Sequence, residues 1–267
     1  MEGLKVIFQN ISGGLVMAGK THGEMVFSRV SLKEYIAWFK AQEPALLSLS
    51  EVHMEQREGS EDNSEMVQKI ASELELPYHK CCFQSSSHLD TSKNMGIAVL
   101  SKYPIEDYST FLLPNPRLTT VRPDGSRWVM FDKGAQRLTL NIDGKPLTVF
   151  NLHYFPFHHF HRRLDEDAFL NVRHALADIL LSEHTTPTII TGDFNNKGLP
   201  LREAFPELFF HNRFRQAVEV ETTVVGLHNE QFDHILYTPE TLTVVRRFAE
   251  PNYSDHYAVV AEFVFRC

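Results

Sequence analysis

The sequence predicts an α/β protein whose sheets mix parallel and antiparallel strands. Short apolar runs rich in β-formers recur along all 267 residues. Most have Gly, Pro, Asn or Asp close to at least one end, as strands do. Asp143-Gly144 lies between two such runs and indicates a hairpin, because this pair tolerates positive φ in a tight turn. Helical patterns separate other runs, and hairpins combined with helical crossovers favour a mixed sheet system.

The predicted strands and helices alternate along the chain. Three segments carry the apolar spacing of helices, at residues 31–40, about 64–74 and about 162–181. The first opens with Ser-Leu-Lys-Glu, a capping box. The predicted strands cover residues 5–8, 45–49, 96–100, 128–131, 138–141, 147–152, 188–191, 234–237, 242–248 and 258–265.

The composition limits the kinds of partner and compartment. Hydrophobic residues make up 43% of the chain, yet no stretch reaches the roughly 18 apolar residues of a membrane span. A formal net charge of -8 excludes a global basic surface for nucleic acid and leaves a local basic groove open. Three cysteines, with Cys81 and Cys82 adjacent, favour a reducing, cytoplasmic location. Gln9 and Asn10 interrupt the first apolar run, which makes it a poor secretion signal.

Polar side chains stand at the ends of several predicted strands, where a rigid scaffold can present functional groups. Asn10 follows the first strand, Glu51 follows the run at 45–49, and His153 follows the run at 147–152. Taken singly, Asn10 also suits a turn and His153 a hydrogen-bonded core histidine. A Glu51 carboxylate would be costly to bury unless it met a cation or another partner.

The sharpest local signal is Thr-Gly-Asp-Phe-Asn at residues 191–195. Asp193 and Asn195 are two apart, so their side chains point to the same side of an extended segment. A turn alone would also account for the Gly and the Asn. Asp233 stands at the start of another predicted strand, and the Asp-His pair at 255–256 lies just before the last one. An isolated Asp-His pair also fits a surface turn.

Taken together, these motifs occur in an order that resembles one family. The motifs are Phe8-Gln9-Asn10-Ile11, Leu49-Ser50-Glu51-Val52, the run Gly-Ile-Ala-Val-Leu-Ser-Lys-Tyr-Pro-Ile at 96–105, Asn151-Leu152-His153, Gly192-Asp193-Phe194-Asn195, Phe232-Asp233-His234-Ile235-Leu236 and Ser254-Asp255-His256. The succession is similar to that of the endonuclease/exonuclease/phosphatase superfamily, which has the DNase I-like fold. The resemblance implies a four-layer α/β/β/α sandwich of two mixed sheets flanked by helices, forming one catalytic domain over residues 1–267.

The resemblance also implies a role for each matching position. Glu51 matches the direct ligand of a Mg²⁺ or Mn²⁺ ion, Asn10 another metal-side residue, and Asp255 a residue near the metal. The implied catalytic group is His153 and His256 as phosphate contacts, Asp193 as the base that activates water, Asn195 as the amide that holds the phosphate, and Asp233 as the partner of His256.

Two departures from the family pattern concern the surroundings of these residues. Ser50 stands where the family usually has Gln before the metal-binding Glu, which leaves the ligand but changes its support. In the DNase-like branch the first histidine leans on a carboxylate, for which Asp90 is the candidate here.

These expectations describe a divalent-metal-dependent phosphoester hydrolase, similar to phosphodiesterases and nucleases, in which an activated water attacks phosphorus in line. The expected partner is a phosphoester substrate, with nucleic acid as one candidate; the oligomeric state stays open. One alternative is a lipid, inositol-phosphate or small-molecule phosphatase that uses the same site. Another is a non-catalytic binding protein that keeps the fold.

Residues 154–163, which follow His153, combine aromatic rings, histidines and two arginines. The phenylalanines either form a small buried cluster or line the substrate as an aromatic wall. In the second case Arg162 or Arg163 would meet a second anionic group of the substrate.

Overall fold

The computed structural model describes residues 3–21, 24–56, 64–122, 125–182 and 186–266. Within these ranges two six-stranded sheets pack face to face, with helices on the outer face of each sheet and two small two-stranded ribbons. This arrangement confirms the predicted α/β class and the four-layer sandwich. No helix among the described residues is both long enough and apolar enough to cross a membrane.

The elements are numbered in chain order. The strands are β1 Leu4–Asn10, β2 Leu15–Thr21, β3 Glu24–Val30, β4 Leu46–Glu55, β5 Tyr78–Ser86, β6 Lys93–Ser101, β7 Ile105–Leu112, β8 Thr119–Val121, β9 Arg127–Val129, β10 Gly134–Ile142, β11 Lys145–His153, β12 Thr188–Asp193, β13 Arg215–Gln216, β14 Asp233–Tyr237, β15 Leu242–Glu250 and β16 Ala258–Phe265. The helices are α1 Leu32–Gln42, α2 Glu65–Leu74, α3 Leu170–Leu181 and α4 Leu201–Ala204, with 3-10 turns at Ser12–Gly14, Phe157–Phe160, Asp167–Phe169 and Pro206–Asn212.

Both large sheets mix strand directions. The first has the order β15-β16-β1-β4-β6-β5 and the second β13-β14-β12-β11-β10-β7. β1 is parallel to β4 and β11 is parallel to β12, whereas their other neighbours are antiparallel. The β10–β11 hairpin has Asp143 at φ 52° and Gly144 at φ 84°, which confirms the predicted tight turn. The ribbons are β2-β3 and β8-β9.

Alternation along the strands divides the core into layers. In β1, Val6 and Phe8 belong to the apolar cluster between the two sheets, while Ile7 belongs to the cluster beneath α1 and α2. A third cluster joins the second sheet to α3 and includes Phe150 and Leu176. The strands are therefore packed on both faces, so the groups at their ends have fixed positions.

Two helices begin close to where the sequence predicts, and one does not. The Ser64 hydroxyl accepts a hydrogen bond from the Val67 amide and caps α2. At α1 the Ser31 side chain makes no such bond and its backbone N–H donates to the Gly14 carbonyl. The predicted capping box therefore does not form; the Ser31 hydroxyl donates to the Glu34 carboxylate instead. The third helix was predicted over 162–181 but begins at Leu170. Glu166 is extended, with φ -62° and ψ 138°, and the 3-10 turn Asp167–Phe169 follows it, so the regular helix cannot begin before Leu170.

Candidate active site

The two parallel strand pairs bring the predicted polar residues to one edge of the sandwich. β1 and β4 run in the same direction, so Asn10 and Ser50 are ladder partners and Glu51 follows directly. In the second sheet β11 and β12 also run together, and His153 pairs with Asp193. Because parallel strands end at the same edge of a sheet, residues far apart in sequence meet there.

The antiparallel neighbours complete this edge. β14 begins at Asp233, which is the ladder partner of Asp193. β16 begins at Ala258, so the Asp-His pair at 255–256 is delivered to the same place. One cavity of about 530 Å³ is lined by all the predicted site residues except Asp233, and Asp233 is bonded to His256.

A β-bulge sets the position of Glu51. The register of β4 against β6 shifts between Ser50 and Val52, and Glu51 has φ 54°. No hydrogen bond from a described side chain or amide reaches the Glu51 carboxylate; His153 Nε2 lies 3.8 Å away and His88 Nε2 3.9 Å away. Burial alone would raise the pKa of Glu51, but the neighbouring basic groups His88, His153 and Lys133 bring it to about 2. The Lys133 ammonium is the charged member of this group near neutral pH, because burial keeps the pKa of both histidines below its usual value. Glu51 is therefore an ionised carboxylate facing the cavity.

Ser50, the departure from the family pattern, gives Glu51 no support in the structure. Its hydroxyl is buried and makes no hydrogen bond with the described residues.

Asp193 is held by two amide donors. Asn10 Nδ2 donates to Asp193 Oδ2 at 3.1 Å, and the Asn195 backbone N–H donates to Asp193 Oδ1 at 3.0 Å. Burial and, to a lesser degree, the nearby Asp233 charge raise the pKa of Asp193 to about 7 against the lowering effect of His256. This carboxyl group can exchange a proton near neutral pH from a fixed orientation. The Asn195 side chain is itself fixed, since its amide donates to the Tyr154 carbonyl at 3.1 Å.

His256 lies against a buried carboxylate. Its Nδ1 is 2.8 Å from Oδ2 of Asp233, and the Asp233 backbone N–H donates to the hydroxyl of Thr223 at 3.1 Å. Burial disfavours the charged imidazole, yet Asp233 holds the pKa of His256 well above its usual value. Because Asp233 occupies Nδ1, Nε2 of this imidazolium remains to donate a hydrogen bond.

Lys133 is a site residue that the sequence interpretation missed. It is only 6% exposed, and its Nζ lies 3.0 Å from Nδ1 and 3.1 Å from Nε2 of His153. Near-equal distances to both ring nitrogens place the ammonium over the ring rather than along either lone pair. Burial lowers the pKa of Lys133, whereas the Glu51 and Asp193 charges oppose that shift.

The hairpin register could have revealed Lys133. A two-residue turn at Asp143-Gly144 makes Gly134 the ladder partner of His153, and Lys133 is the residue before Gly134. Asp90, the carboxylate suggested for His153, is wrong as its partner: Asp90 is exposed and accepts hydrogen bonds from the amide and hydroxyl of Ser92 at 2.9 and 2.7 Å. The structure brings a cation to this histidine instead.

Two groups of donors could hold a divalent cation. One is Glu51 with Asn10 and Asp255, where Asp255 accepts hydrogen bonds from the hydroxyls of Ser12 and Ser254. The other is Asp193, Asp233 and His256, whose ligand atoms all lie within 4.8 Å of one another. The second group has already used two of its ligand atoms in the Asp233–His256 hydrogen bond. The ionised Glu51 carboxylate, which accepts no hydrogen bond from the described residues, therefore fits a hard cation best.

A family comparison agrees with this arrangement. A model of the Endonuclease/Exonuclease/phosphatase family matches residues 10–256 of the chain. The chain belongs to this family. Its first and last matched residues, Asn10 and His256, are both members of the site described above. A search of curated protein sequences returns no match.

Solved structures share the fold at low sequence identity. An endonuclease/exonuclease/phosphatase from Beutenbergia cavernae DSM 12333 gives a TM-score of 0.73 at 15% identity, over 99% of this chain and 72% of that one. The human Nocturnin catalytic domain gives a TM-score of 0.62 at 15% identity, over 99% of this chain and 94% of that one. A mannosyl-6-phosphatase from Bacteroides thetaiotaomicron VPI-5482 gives a TM-score of 0.62 at 13% identity, over 98% of this chain and 100% of that one. These likenesses establish the architecture alone.

The phenylalanines after His153 form a buried cluster. Phe157 is 1% exposed, and its ring centroid lies 4.4 Å from that of Phe169. Arg162 is bonded to Glu166 and Arg163 to Asp165. The structure thus contradicts the interpretation in which Phe157 and these arginines contact substrate.

Proposed function

We propose that this protein hydrolyses a phosphoester bond in a divalent-metal-dependent reaction, with a water molecule activated by Asp193. The observation that carries the proposal is the position of the Asp193 carboxylate, which Asn10 and Asn195 hold in the same cavity as Glu51 and His256. Phosphoester hydrolysis needs a base for water and positive groups for the phosphoryl oxygens. This cavity supplies the base and the positive groups together.

Glu51, with Asn10 and Asp255 beside it, would hold the cation. Carboxylate and amide oxygens suit Mg²⁺ or Mn²⁺. When bound, the cation would neutralise charge on the phosphate and help to orient it. Ser12 links Asn10 to Asp255. Its backbone amide donates to the Asn10 side-chain oxygen at 3.1 Å, and its hydroxyl donates to the Asp255 carboxylate.

The remaining residues have separable tasks. Asp193 accepts a proton from the attacking water, while its two amide donors fix the carboxylate in place. The imidazolium of His256 donates a hydrogen bond to a phosphoryl oxygen, and the Lys133 ammonium lies where it can neutralise a second one. Asn195 is the amide proposed to hold the phosphate. His153 also faces the phosphate, and its ring is neutral. Attack in line with the leaving oxygen needs no covalent intermediate on the protein.

A phosphodiester is the substrate class that we favour over a highly charged polyphosphate. Among the described residues that line the cavity, the lysines are Lys133 and Lys197, and many of the others are apolar or aromatic. An inositol polyphosphate would demand more cations than this. The alternative is a small-molecule monoesterase. The similarity to the mannosyl-6-phosphatase from Bacteroides thetaiotaomicron supports that alternative. A non-catalytic protein would be expected to have lost the base or the metal carboxylate, and both are present.

We also propose that residues 1–267 act as one catalytic domain in the cytoplasm. The site takes residues from both sheets and from positions 10 through 256, so neither sheet could carry it alone. Fractionation of cells that express a tagged chain tests the location.

The decisive experiment measures release of nitrophenol from bis-p-nitrophenyl phosphate with and without chelator. We expect activity to disappear with EDTA and to return with Mg²⁺ or Mn²⁺. Glu51→Gln should weaken apparent metal affinity and rate together, whereas the exposed control Glu240→Gln should behave as wild type. Full activity in excess EDTA would refute metal dependence. Normal metal dependence in Glu51→Gln would move the cation to the Asp193, Asp233 and His256 group.

A further inference from the structure

We propose that a group of rings beside the catalytic residues binds a flat aromatic group of the phosphoester substrate. We call this group the aromatic wall; it consists of Trp128, His158, His159 and Phe160, which all line the same cavity as Asp193 and His256. The proposal rests on the proposed phosphoester hydrolysis and specifies the substrate class. It replaces Phe157, which the structure buries, with neighbours that reach the cavity.

Local geometry explains which residues of this segment face the cavity. In the 3-10 turn Phe157–Phe160, residues three apart lie on the same side. Phe157 is 1% exposed and lies in the core beneath the turn; Phe160, 5% exposed, packs into the same core and also borders the cavity. His158 and His159 lie between them on the other side of the turn, and His159 is exposed. The core phenylalanines therefore anchor a turn that presents two imidazole rings.

The rings of the aromatic wall contact one another, and Arg122, which follows β8, packs against one of them. The centroid of Trp128 lies 5.0 Å from that of His159 and 5.4 Å from that of Phe160. The two histidine rings lie 4.2 Å apart. The Arg122 guanidinium stacks over Trp128 at 4.4 Å from the ring centroid. These contacts limit ring movement, which lowers the entropic cost of stacking a ligand against them.

The chemistry of the wall favours an aromatic group over a sugar or a second phosphate. Burial lowers the pKa of His158 to about 2, so this ring is neutral and does not attract anions. Arg122 already stacks on the indole, and Lys197, an exposed residue, also lines the cavity. A π-face accepts any flat ring with little dependence on its substituents.

Two kinds of ester would place such a ring close to the scissile phosphorus. One is a nucleotide, whose base is one sugar away from the phosphate. The other is an aryl ester, whose leaving group is itself a ring. Matched pairs of compounds separate these sources. The nucleotide pair is thymidylyl-thymidine and thymidine 5′-phosphate against the same compounds with each base replaced by hydrogen. The aryl pair is phenyl phosphate and methyl phenyl phosphate against methyl phosphate and dimethyl phosphate.

The experiment measures kcat/KM and, by calorimetry, Kd for each compound with four proteins. These are wild type, His159→Ala, His159→Phe and the control Phe210→Ala, which removes a ring that is 58% exposed outside the cavity. We expect wild type to prefer the ring-bearing member of one pair by about tenfold or more, the usual scale of base–aromatic stacking. His159→Ala should reduce that ratio to a few-fold at most. His159→Phe should keep it, because stacking needs the ring and not the imidazole nitrogens.

The outcomes distinguish this proposal from the proposed function. A preference for the nucleotide pair that His159→Ala reduces identifies a nucleobase. For the aryl pair the Kd ratio decides, because phenoxide leaves more readily than methoxide whatever the wall does; a Kd preference that His159→Ala reduces identifies an aromatic leaving group. Turnover of base-free esters with no preference for rings, or a preference that His159→Ala leaves unchanged, overturns the aromatic wall and leaves phosphoester hydrolysis intact. If no ester is turned over, the proposed function fails; the Kd ratios then decide the wall alone, and equal Kd values within both pairs overturn it.

Discussion

The two buried histidines of the site have opposite surroundings. His256 lies 2.8 Å from the carboxylate of Asp233, whereas His153 lies 3.0 Å from the ammonium of Lys133. Burial disfavours the charged form of both rings. Asp233 overcomes that effect and raises the pKa of His256, while Lys133 adds to it and keeps the pKa of His153 well below its usual value.

This difference shows that residue type and position at a strand end do not determine a histidine's charge. The sequence presents both residues at the edge of a sheet, and resemblance to the family suggests a carboxylate partner for each. The structure gives a carboxylate to one and a lysine to the other. We infer that the positive charge near the phosphate comes from an imidazolium on one side and from an ammonium on the other.

The largest expected effect comes from the residue that lies between these two surroundings. Asp193 Oδ2 is 3.6 Å from Nε2 of His153, and its charge also raises the pKa of His256. Asp193→Asn is nearly isosteric but cannot accept a proton from water. We expect kcat to fall by about 10²–10⁴-fold, the usual range for loss of a general base. Steady-state kinetics on bis-p-nitrophenyl phosphate measures the loss.

A matched control keeps this result interpretable. Asp178 lies on α3, outside the cavity, and Asp178→Asn should retain wild-type rates. Circular dichroism should show the same fold in both variants. If Asp193→Asn stays within a few-fold of wild type, the base is another residue.

A double-mutant cycle tests whether Asp233 acts through His256. We expect each alanine variant to lose about 10²-fold in kcat/KM, on the scale of a missing transition-state hydrogen-bond donor. The double variant should lose hardly more than either single variant, because both remove the same imidazolium. Losses that add in free energy would show that the two residues act separately. Melting temperatures are needed alongside, since His256→Ala leaves the Asp233 carboxylate buried without this partner.

The sequence located those parts of the site that end apolar strands. Asn10, Glu51, His153 and Asp193 each follow a run that must lie in the core, so a polar residue there marks a sheet edge. These residues come together because β1 pairs with β4, and β11 with β12, as parallel strands. Resemblance to the family supplied that topology, because apolar runs alone do not say which strands are neighbours.

The sequence did not reveal His88 and Trp128, which line the cavity without following a predicted core strand. His88 follows β5, an edge strand whose apolar pattern is interrupted by His79 and Lys80. Trp128 belongs to a ribbon outside both large sheets, although its segment was predicted as an ordinary strand. The early start predicted for α3 has a similar cause, since the apolar spacing continues into residues before Leu170 that the extended Glu166 separates from the helix. Such positions depend on tertiary contacts rather than on a local pattern.

Neutralising Lys133 should have a smaller effect than removing Asp193, and it tests the ammonium side of the comparison. Lys133→Met keeps the length of the side chain and removes its charge. We expect Kd for inorganic phosphate to rise by about 10- to 100-fold, because a hydrogen bond to a charged group contributes roughly 1.5–3 kcal/mol. Lys133→Arg should retain part of the affinity. Calorimetry measures both values.

Lys69, which is exposed on α2, supplies the control for that experiment. Lys69→Met removes the same charge far from the cavity and should leave Kd unchanged. A Lys133→Met variant with wild-type phosphate affinity would contradict the proposed role and would leave His256 as the principal positive group.

The smallest effect on catalysis should come from Phe157, which supports the wall from inside the core without facing the substrate. Its ring packs against Phe169, Tyr154 and Phe155 with centroids 4.4, 6.0 and 6.1 Å away. Phe157→Ala leaves a cavity, and such changes cost about 3–5 kcal/mol of unfolding free energy. For a chain of this size that corresponds to a fall in melting temperature of roughly 5–9 °C. Below the transition, kcat/KM for dimethyl phosphate should change by less than about twofold, since general packing rather than a substrate contact is lost.

Phe210→Ala, at an exposed ring, should leave the melting temperature within about a degree or two. A Phe157→Ala variant with normal stability and a selectively raised KM for ring-bearing esters would show that Phe157 contacts substrate after all, and the buried cluster would then be the wrong account of this segment.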